Sequence, residues 1–321
     1  MEEFEKDMSQ NNNERNLVKI LKDLSIELQM KIEVFSFGWI IQLSKAGVDK
    51  FIFGYNFDLN SSASQMIASD KSATSEILKQ NNVPVVEHIL FVHPNRLKYI
   101  NNENGNWEQM LSFLDRNKKI VCKSNNGTGG NNVHIVDSIQ SLERISTKLF
   151  EKSSSICLSQ FYEIETEYRL IIIKDKVHLC YKKSIPTLHG DGTKTVDELI
   201  KNSVSKIDFK NIDIDENIFD KVLGTNETLK LNWKNNLSKG AIPKVISSNS
   251  HIYSELVEIA LNAKKSIGME FASIDIIKTN NELKVLEINS GVMIENFLTH
   301  YPNEYPKIKE IYKSAVIEMF K

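Results

Sequence analysis

Two acidic residues and an asparagine have the types and the spacing to hold a metal ion: Asp275, Glu287 and Asn289. They fall in two β-rich runs joined by the turn-forming pair Asn280-Asn281, which predicts a hairpin within residues 271–289. Glu287 and Asn289 share one face of their strand, because side chains along a strand alternate with period two. Whether Asp275 points to the same face depends on the register of the hairpin.

The length of the connecting loop decides that register. A two-residue turn would pair Asp275 with Leu286 and place it on the wrong face, whereas a three-residue loop, Asn280 to Glu282, pairs it with Glu287. We predict the three-residue loop. It sets two carboxylates opposite each other, which is destabilising unless a cation lies between them. Mg²⁺ binds through one or two carboxylates together with substrate phosphates, so a magnesium site is one interpretation. A half-exposed hairpin with a wet polar face is the other.

A lysine followed by a glycine-rich segment could bind a phosphate. We call residues 124–132, which follow Lys123, the glycine loop. Its glycines let backbone N–H groups turn toward an anion, and Thr128 and Asn131 add donors. The lysine supplies a point charge, although it precedes the glycines and so does not form a Walker loop. A Gly/Asn hairpin turn explains the same residues. The loop contains Gly127, Thr128, Gly129 and Gly130.

Residues 160–169 connect two predicted strands and are rich in acids and aromatics. One interpretation is a hinge whose backbone contacts an adenine edge and whose acid accepts hydrogen bonds from ribose hydroxyls. The other is a polar connection without a ligand.

The overall composition narrows the classes of protein. The chain has 321 residues, 41% of them hydrophobic, a net charge of −2 and three scattered cysteines. The charge argues against nucleic acid as a partner. No apolar run approaches the ~18 residues of a membrane span, and the acidic N-terminus is not a signal peptide. Unpaired cysteines are typical of a reduced compartment, so we expect a cytoplasmic enzyme or binding protein.

Hydrophobic periodicity places these segments in a chain of mixed helices and strands. Predicted helices cover Glu14–Gln29, a stretch near Trp39–Ala46, Lys71–Gln80 with Asp70 or Ser69 as its N-cap, and a segment to Ile267 with Ser250 as its N-cap. A further hairpin is expected between Thr228–Trp233 and Ala241–Ile246.

The order of four motifs resembles the ATP-grasp superfamily. The motifs are Asp70-Lys71, the glycine loop after Lys123, the spacing of Gln160, Glu167 and Arg169, and the set Asp275, Glu287 and Asn289. The chain looks most like the ATP-grasp portion of cyanophycin synthetase and of fused bacterial glutathione synthetases. That closer likeness rests on Gly190-Asp191-Gly192 with Thr195–Ile200 and on Asn236–Gly240, and the resemblance covers roughly residues 65–295.

The resemblance implies an α/β (α+β) fold in which a nucleotide is held between two subdomains. We expect a small N-terminal α/β domain in residues 1–65, a central subdomain with the glycine loop in residues 66–155, and a C-terminal subdomain in residues 156–321. It also implies ATP and Mg²⁺ as cofactors. The implied reaction joins a carboxylate to an amine through an acyl phosphate, with an amino acid or peptide as substrate. No nucleic-acid or membrane partner is implied, and self-association into a homo-oligomer stays open.

Residue roles carried over from the family follow the same motifs. The resemblance implies that Lys123 and Lys71 contact phosphates beneath the glycine loop, that Gln160, Phe161 and Tyr162 form the adenine hinge, and that Glu167 binds the ribose. It assigns Mg²⁺ to Asp275, Glu287 and Asn289. The γ-phosphate and the acyl phosphate would face Arg169 and Lys182 or Lys183, and the acceptor would face Asn236, Ser238 and Gly240.

Some features depart from the family pattern. Ser75 stands where cyanophycin synthetases tend to have a second lysine, and Ser290-Gly291 replaces a Pro-Gly turn that usually lies against the substrates. No second ligase module follows residue 321, so cyanophycin synthesis itself is not expected. A nucleotide-binding sensor without chemistry, or an ATP-grasp phosphotransferase or carboxylating enzyme, stays open. We also expect residues 125–132 and 185–240 to close over ATP.

Overall fold

The structure, a computed structural model, describes residues 14–99, 107–127, 129–202, 212–233, 235–237, 240–280 and 282–321. Its α-helices are α1 (Asn16–Glu27), α2 (Ser62–Ser69), α3 (Lys71–Gln80), α4 (Trp107–Asn117), α5 (Ile139–Phe150), α6 (Val196–Lys201), α7 (Tyr253–Ser266), α8 (Glu295–His300) and α9 (Tyr305–Met319). None of the helices in these ranges is both long and apolar enough to cross a membrane.

The strands form four antiparallel sheets. The N-terminal sheet has the order β1-β2-β3-β4, with β1 (Lys31–Phe35), β2 (Ile40–Lys45), β3 (Val48–Phe53) and β4 (Asn56–Phe57). The second sheet has the order β5-β8-β6-β7, with β5 (Ile89–Val92), β6 (Ile120–Ser124), β7 (Val133–Val136) and β8 (Ser155–Gln160). The central sheet has the order β13-β10-β9-β14-β15, with β9 (Thr166–Ile173), β10 (Lys176–Ser184), β13 (Ile242–Val245), β14 (Phe271–Thr279) and β15 (Glu282–Asn289). A small sheet pairs β11 (Thr187–His189) with β12 (Thr228–Lys230). The mixed class predicted from the sequence is confirmed.

The central sheet separates two hydrophobic cores, because alternate residues of each strand point to opposite sides. On one side, Leu170 and Ile274 pack against α3 and α7. On the other side, Ile171 packs in a core shared with α1, the N-terminal sheet and α9. The N-terminal elements therefore share their core with the last helix, and the boundary at residue 65 stays a prediction.

The second sheet is covered on one face by α4 and α5, whose Phe113 and Leu142 are buried against it. Helix α5 begins with a capping box in which the Ser138 and Ser141 side chains satisfy each other's backbone N–H groups. The other face of the second sheet carries Lys123 on β6 and Ser159 on β8, both turned toward the central sheet. This arrangement leaves a space between the two sheets.

Several local predictions were wrong. The helix near Trp39–Ala46 is strand β2, whose Ile41 and Leu43 alternate into the core with period two. The expected hairpin of residues 228–246 does not form, because β12 pairs with β11 and β13 pairs with β10. Helix α7 begins after Ile252 without a side-chain cap, so Ser250 is not its N-cap. By contrast, Asp70 caps α3 through Ala73 N–H, as predicted.

Candidate active site

The predicted hairpin of β14 and β15 pairs Asp275 with Glu287, so both carboxylates lie on one face. That register is confirmed, but the loop length behind it was wrong. Thr279 pairs with Glu282, which leaves only two residues in the connection. A β-bulge then shifts the register beside Asp275, and Leu286 is the extra residue. The bulge supplies the one-residue shift that we had assigned to the loop.

A row of charged side chains continues from this hairpin across the central sheet. Asp275 lies opposite Arg169, and Glu167 lies opposite Lys183. Arg169 binds Asp275 with two parallel bonds, Nε to Oδ1 at 2.7 Å and Nη2 to Oδ2 at 2.6 Å. Lys183 lies 3.0 Å from Asp275 Oδ2 and also pairs with Glu167. We call these four residues the charged row.

The charged row is buried, and burial sets its electrostatics. Burial raises the pKa of Glu167 in spite of the Lys183 ammonium beside it. Burial also opposes ionisation of Asp275, but Arg169 and Lys183 outweigh it and hold the pKa of that carboxyl well below its usual range. The pKa of Lys183 is raised, because Asp275 and Glu167 outweigh the effects of burial and of Arg169. Such coupled, buried groups beside a cavity are typical of functional sites.

Glu287 differs from the charged row because no described lysine, arginine or histidine forms an ion pair with it. Its Oε1 accepts a hydrogen bond from Asn289 Nδ2 at 3.3 Å, and Asp275 lies across the strand pair. Two carboxylates and an amide oxygen suit a hard divalent ion such as Mg²⁺. Among the described residues no group of three or more His, Cys, Asp or Glu could hold a metal. The donor set here contains two such residues, but both Asp275 oxygens are engaged by Arg169 and Lys183. Glu287 and Asn289 are therefore the donors that fit magnesium, with phosphate oxygens and water in the other positions.

A cavity of about 430 Å³ lies between the central and second sheets, directly over these residues. It is lined on one side by Glu167, Lys183, Asp275 and Glu287 and on the other by Lys71 and Lys123. Lys123 is 7% exposed, and burial lowers its pKa. Positive and negative groups thus converge on one enclosed space, as expected for a ligand that carries both a metal ion and phosphates.

The glycine loop closes one side of this cavity. The Lys71 ammonium, at the start of α3, donates a hydrogen bond to the carbonyl of Gly127. Gly130 has a φ of +69°, and a Cβ placed there would lie 3.0 Å from the Asn236 amide. Both the backbone conformation and this close approach favour glycine at residue 130. The loop therefore lies against the segment that was predicted to line the acceptor side.

The predicted hinge lies along the cavity as well. Its ends are fixed by the backbone bonds Phe161 N–H to Lys119 O at 3.2 Å and Glu165 N–H to Lys278 O at 2.9 Å. Between these bonds, Tyr162 and Glu163 line the cavity. The Phe161 N–H is committed to Lys119, so it is not available to a ligand in the cavity. The hinge bridges the two sheets.

The structure brings together most of the residues predicted for the site. Those that line the cavity are Lys71, Lys123, Gly127, Gly130, Gln160, Phe161, Tyr162, Glu167, Lys183, Asn236, Asp275 and Glu287. Arg169 and Asn289 contact it through Asp275 and Glu287. Gly129 and Gly240 are not among the lining residues, and Thr128 and Ser238 lie outside the described residues.

Lys182 is the one predicted catalytic residue that lies away from the cavity. Side chains alternate along β10, so Lys183 faces the charged row while Lys182 pairs with Tyr168 and Lys244. Tyr168 belongs to the apolar core on the opposite side of the sheet. Of the two neighbouring lysines, the geometry selects Lys183.

Asn235, which lines the same cavity, was not predicted as a site residue. Its side chain is 6% exposed, and its Nδ2 has no hydrogen-bond partner among the described residues. A buried donor without a partner costs about 1–3 kcal/mol. This amide donor is therefore available to a ligand oxygen in the cavity. The only local signal was its place in the polar run beside Asn236.

Comparison with known proteins agrees with this geometry, and the fold is an ATP-grasp fold. A D-alanine–D-alanine ligase from Bacillus anthracis superposes with a TM-score of 0.53 at 14% identity, over 82% of this chain and 72% of that enzyme. The same enzyme complexed with ATP gives a TM-score of 0.51. Within this fold, residues 195–303 match the RimK-like ATP-grasp domain.

Two curated relatives are much longer than this chain. The cyanophycin synthetase of Synechocystis sp. is 26% identical over 247 residues, which cover 71% of this chain and 27% of that protein. The glutathione biosynthesis bifunctional protein GshAB of Listeria monocytogenes is 24% identical over 271 residues, covering 76% and 35%. The chain thus spans about a third or less of these relatives. The resemblance stated from the sequence motifs is confirmed.

Proposed function

We propose that this protein is an ATP-dependent ligase that joins a carboxylate to an amine, with an amino acid or a peptide as substrate. The observation that carries the proposal is the pairing of Asp275 with Glu287 on the cavity face, facing Lys123 and the glycine loop across about 430 Å³. Its sequence relatives and fold neighbours are ATP-grasp ligases, which supports the same reaction class.

We assign ATP one orientation in the cavity. The adenine lies along the hinge at Tyr162 and Glu163, and the phosphates lie under the glycine loop between Lys123 and Lys71. This orientation places the γ-phosphate toward the charged row. Glu287 and Asn289 would hold Mg²⁺ beside Asp275. The ion, when bound, neutralises phosphate charge and aligns the β- and γ-phosphates.

The reaction needs positioning and charge compensation more than a side-chain nucleophile. A substrate carboxylate oxygen attacks the γ-phosphorus, the bond from that phosphorus to the β–γ bridging oxygen breaks, and ADP leaves. The amine nitrogen then attacks the carbonyl carbon of the acyl phosphate. The carbon–oxygen bond to phosphate breaks, and the amine loses a proton. Lys183 and Arg169 stabilise the negative charge that moves along this path.

Asn235 and Asn236 lie where the acceptor side of the cavity meets the glycine loop. Asn235 Nδ2 has no partner among the described residues, so we assign it to an oxygen of the substrate or of the acyl phosphate. The amide N–H group can donate a hydrogen bond to a carboxylate oxygen. This assignment also explains why an unsatisfied amide is kept inside the cavity.

The test is a phosphate-release screen with ATP, Mg²⁺ and pairs drawn from amino acids and short peptides. Phosphate is expected only when a carboxylate and an amine are both present, and the mass of the product should equal the two substrates minus water. The Lys123→Ala variant provides the background rate. Nucleotide binding without turnover for every pair would instead support a sensor, and a phosphorylated or carboxylated product would support one of the other chemistries.

A further inference from the structure

The outward face of the N-terminal sheet is apolar, although its inward face already forms a core. Ile41 and Ile52 point inward. On the outward side, Phe35 pairs with Ile40, and Ile40 pairs with Phe53. These three side chains form a straight row across β1, β2 and β3. A sheet with one buried face normally has polar residues on the other, so this row needs an explanation.

The row belongs to a larger exposed surface that we call the aromatic face. It consists of Phe35, Ile40, Phe51 and Phe53 on the strands and of Phe37 and Trp39 in the turn between β1 and β2. Phe35 is 43% exposed, Phe53 57%, Phe51 48% and Trp39 47%, and Phe37 is fully exposed. A buried aromatic side chain covers about 150–250 Å², so these five aromatics present on the order of 600 Å² to solvent. That equals or exceeds the largest apolar patch of a typical monomer, which is about 300–600 Å².

The aromatic face is held in place from behind. The Trp39 ring meets Phe53 edge-on at 6.2 Å, and the Arg15 guanidinium lies 5.0 Å from the Trp39 ring centre. Arg15 also donates to the carbonyl of Gly54, at the end of β3, at 3.2 Å. A surface fixed in this way loses little conformational entropy on association, which favours a specific partner.

The arrangement of the row indicates which partner fits. It reads aromatic, aliphatic, aromatic, with Ile40 in the middle. A two-fold axis through Ile40 would place Phe35 of one copy against Phe53 of the other, and the reverse. Closed dimers use this kind of self-complementary contact. About 600 Å² per copy approaches the ~800 Å² that each partner contributes to a standard interface.

Charge is compatible with the same symmetry. The next row of the outward face carries Glu33, Gln42 and Phe51, and the row after it carries Lys31, Ser44 and Asp49. Both signs therefore lie at one end of the aromatic face, outside the row around the proposed axis. The net charge of −2 opposes association of two copies only weakly.

We propose that a second copy of this chain covers the aromatic face, forming a two-fold dimer through the N-terminal sheet. The dimer buries the Phe35–Ile40–Phe53 row and leaves the charged rows at its rim. None of these residues lines the cavity between the central and second sheets. The dimer proposal therefore stands or falls separately from the proposed reaction.

Sedimentation equilibrium across a range of concentrations tests the proposal. The wild-type chain of 36.7 kDa should sediment with twice that mass. Phe53→Glu should weaken association by at least about 100-fold, because each dimer would bury two unpaired carboxylates. The matched control is Met66→Glu, since Met66 is 71% exposed on α2, outside the aromatic face. A monomeric wild type, or a Phe53→Glu variant that stays dimeric, would overturn the proposal.

Cross-linking locates the axis. The three native cysteines are buried, so an Ile40→Cys variant has one accessible thiol per copy. A bis-maleimide that spans about 10 Å, the spacing of packed sheets, should join two copies through residue 40. The matched Met66→Cys variant should not cross-link. Equal cross-linking of the two variants, or none at residue 40 in a dimeric protein, would show that the contact lies elsewhere.

Discussion

The two faces of the central sheet have the same strands and the same depth but different chemistry. On one face Arg169 and Asp275 form an ion pair beside the cavity, with Asp275 1% exposed. On the other face, Leu170 and Ile274, their neighbours in sequence, lie in an apolar core. Replacing a buried ion pair by well-packed apolar residues is often neutral or stabilising. The charged row is therefore better explained by binding than by stability, and the apolar residues on both faces of the sheet supply the stability.

The sharpest way to separate the two faces uses consecutive residues of β15. Glu287→Ala should lower turnover by at least about 100-fold, since it removes a proposed metal ligand, yet change unfolding free energy by less than ~1 kcal/mol because no described cation pairs with it. Ile288→Ala should cost about 2–5 kcal/mol of stability but keep turnover per folded molecule. Denaturant unfolding and phosphate release measure both. If Glu287→Ala and Ile288→Ala lowered turnover equally, the loss of turnover could not be assigned to the cavity face of β15.

A second test concerns the ion pair between Arg169 and Asp275. Asp275→Ala should lower the unfolding free energy by about 3–5 kcal/mol, because it leaves Arg169 buried without its counter-charge. The double variant Arg169→Leu with Asp275→Leu should lose less than the single one, since the charge is removed with its partner. Urea unfolding of the two proteins gives the comparison. A double variant less stable than the single one would contradict this balance.

A third test concerns the glycine loop, which closes one side of the cavity. Gly130→Ala should raise the KM for ATP about tenfold, equivalent to ~1.4 kcal/mol, because a Cβ there meets the Asn236 amide and the φ of +69° disfavours it. Gly47→Ala is the matched control, since Gly47 has a φ of +80° with nothing within 4 Å of its Cβ position. The control shares the backbone strain but should keep the ATP KM. An equal rise in the ATP KM of both variants would show that backbone strain, and not the contact with Asn236, causes the effect.

The smallest effect concerns pH. His88 is buried, and burial, followed by Lys123 and Lys71, holds its pKa well below the usual value near 6.5. Below pH ~6.5 the unfolded chain takes up a proton that the folded chain excludes, so stability should fall by up to about 1.4 kcal/mol per pH unit. Between pH 6.5 and 5, the melting temperature of His88→Leu should fall less than that of the wild type. Parallel curves would show that His88 is protonated in the folded protein.

The sequence was enough to predict the fold class and the shared face of the proposed metal ligands. Period-two alternation placed Glu287 and Asn289 together, and the order of motifs identified the ATP-grasp resemblance. The register of Asp275 came out correctly although the loop length did not, because a bulge at Leu286 makes the same one-residue shift. A bulge has no local sequence signal here.

The remaining errors concern contacts between distant segments. Strand β13 pairs with β10, about sixty residues earlier, rather than with its neighbour β12, and local patterns carry no information about that choice. Lys182 and Lys183 could be separated only once the pairing of β10 with β9 was known. Asn235 and His88 were missed because their burial depends on tertiary packing.

Calorimetric titration of ATP into the wild-type protein, with and without Mg²⁺, tests the central claim most directly when repeated with Glu287→Ala. The account predicts that Mg²⁺ strengthens ATP binding at least about tenfold, or ~1.4 kcal/mol, in the wild type, and that Glu287→Ala loses this gain while still binding ATP through Lys123 and the hinge. An equal magnesium effect in both proteins would show that Glu287 on β15 does not hold the ion.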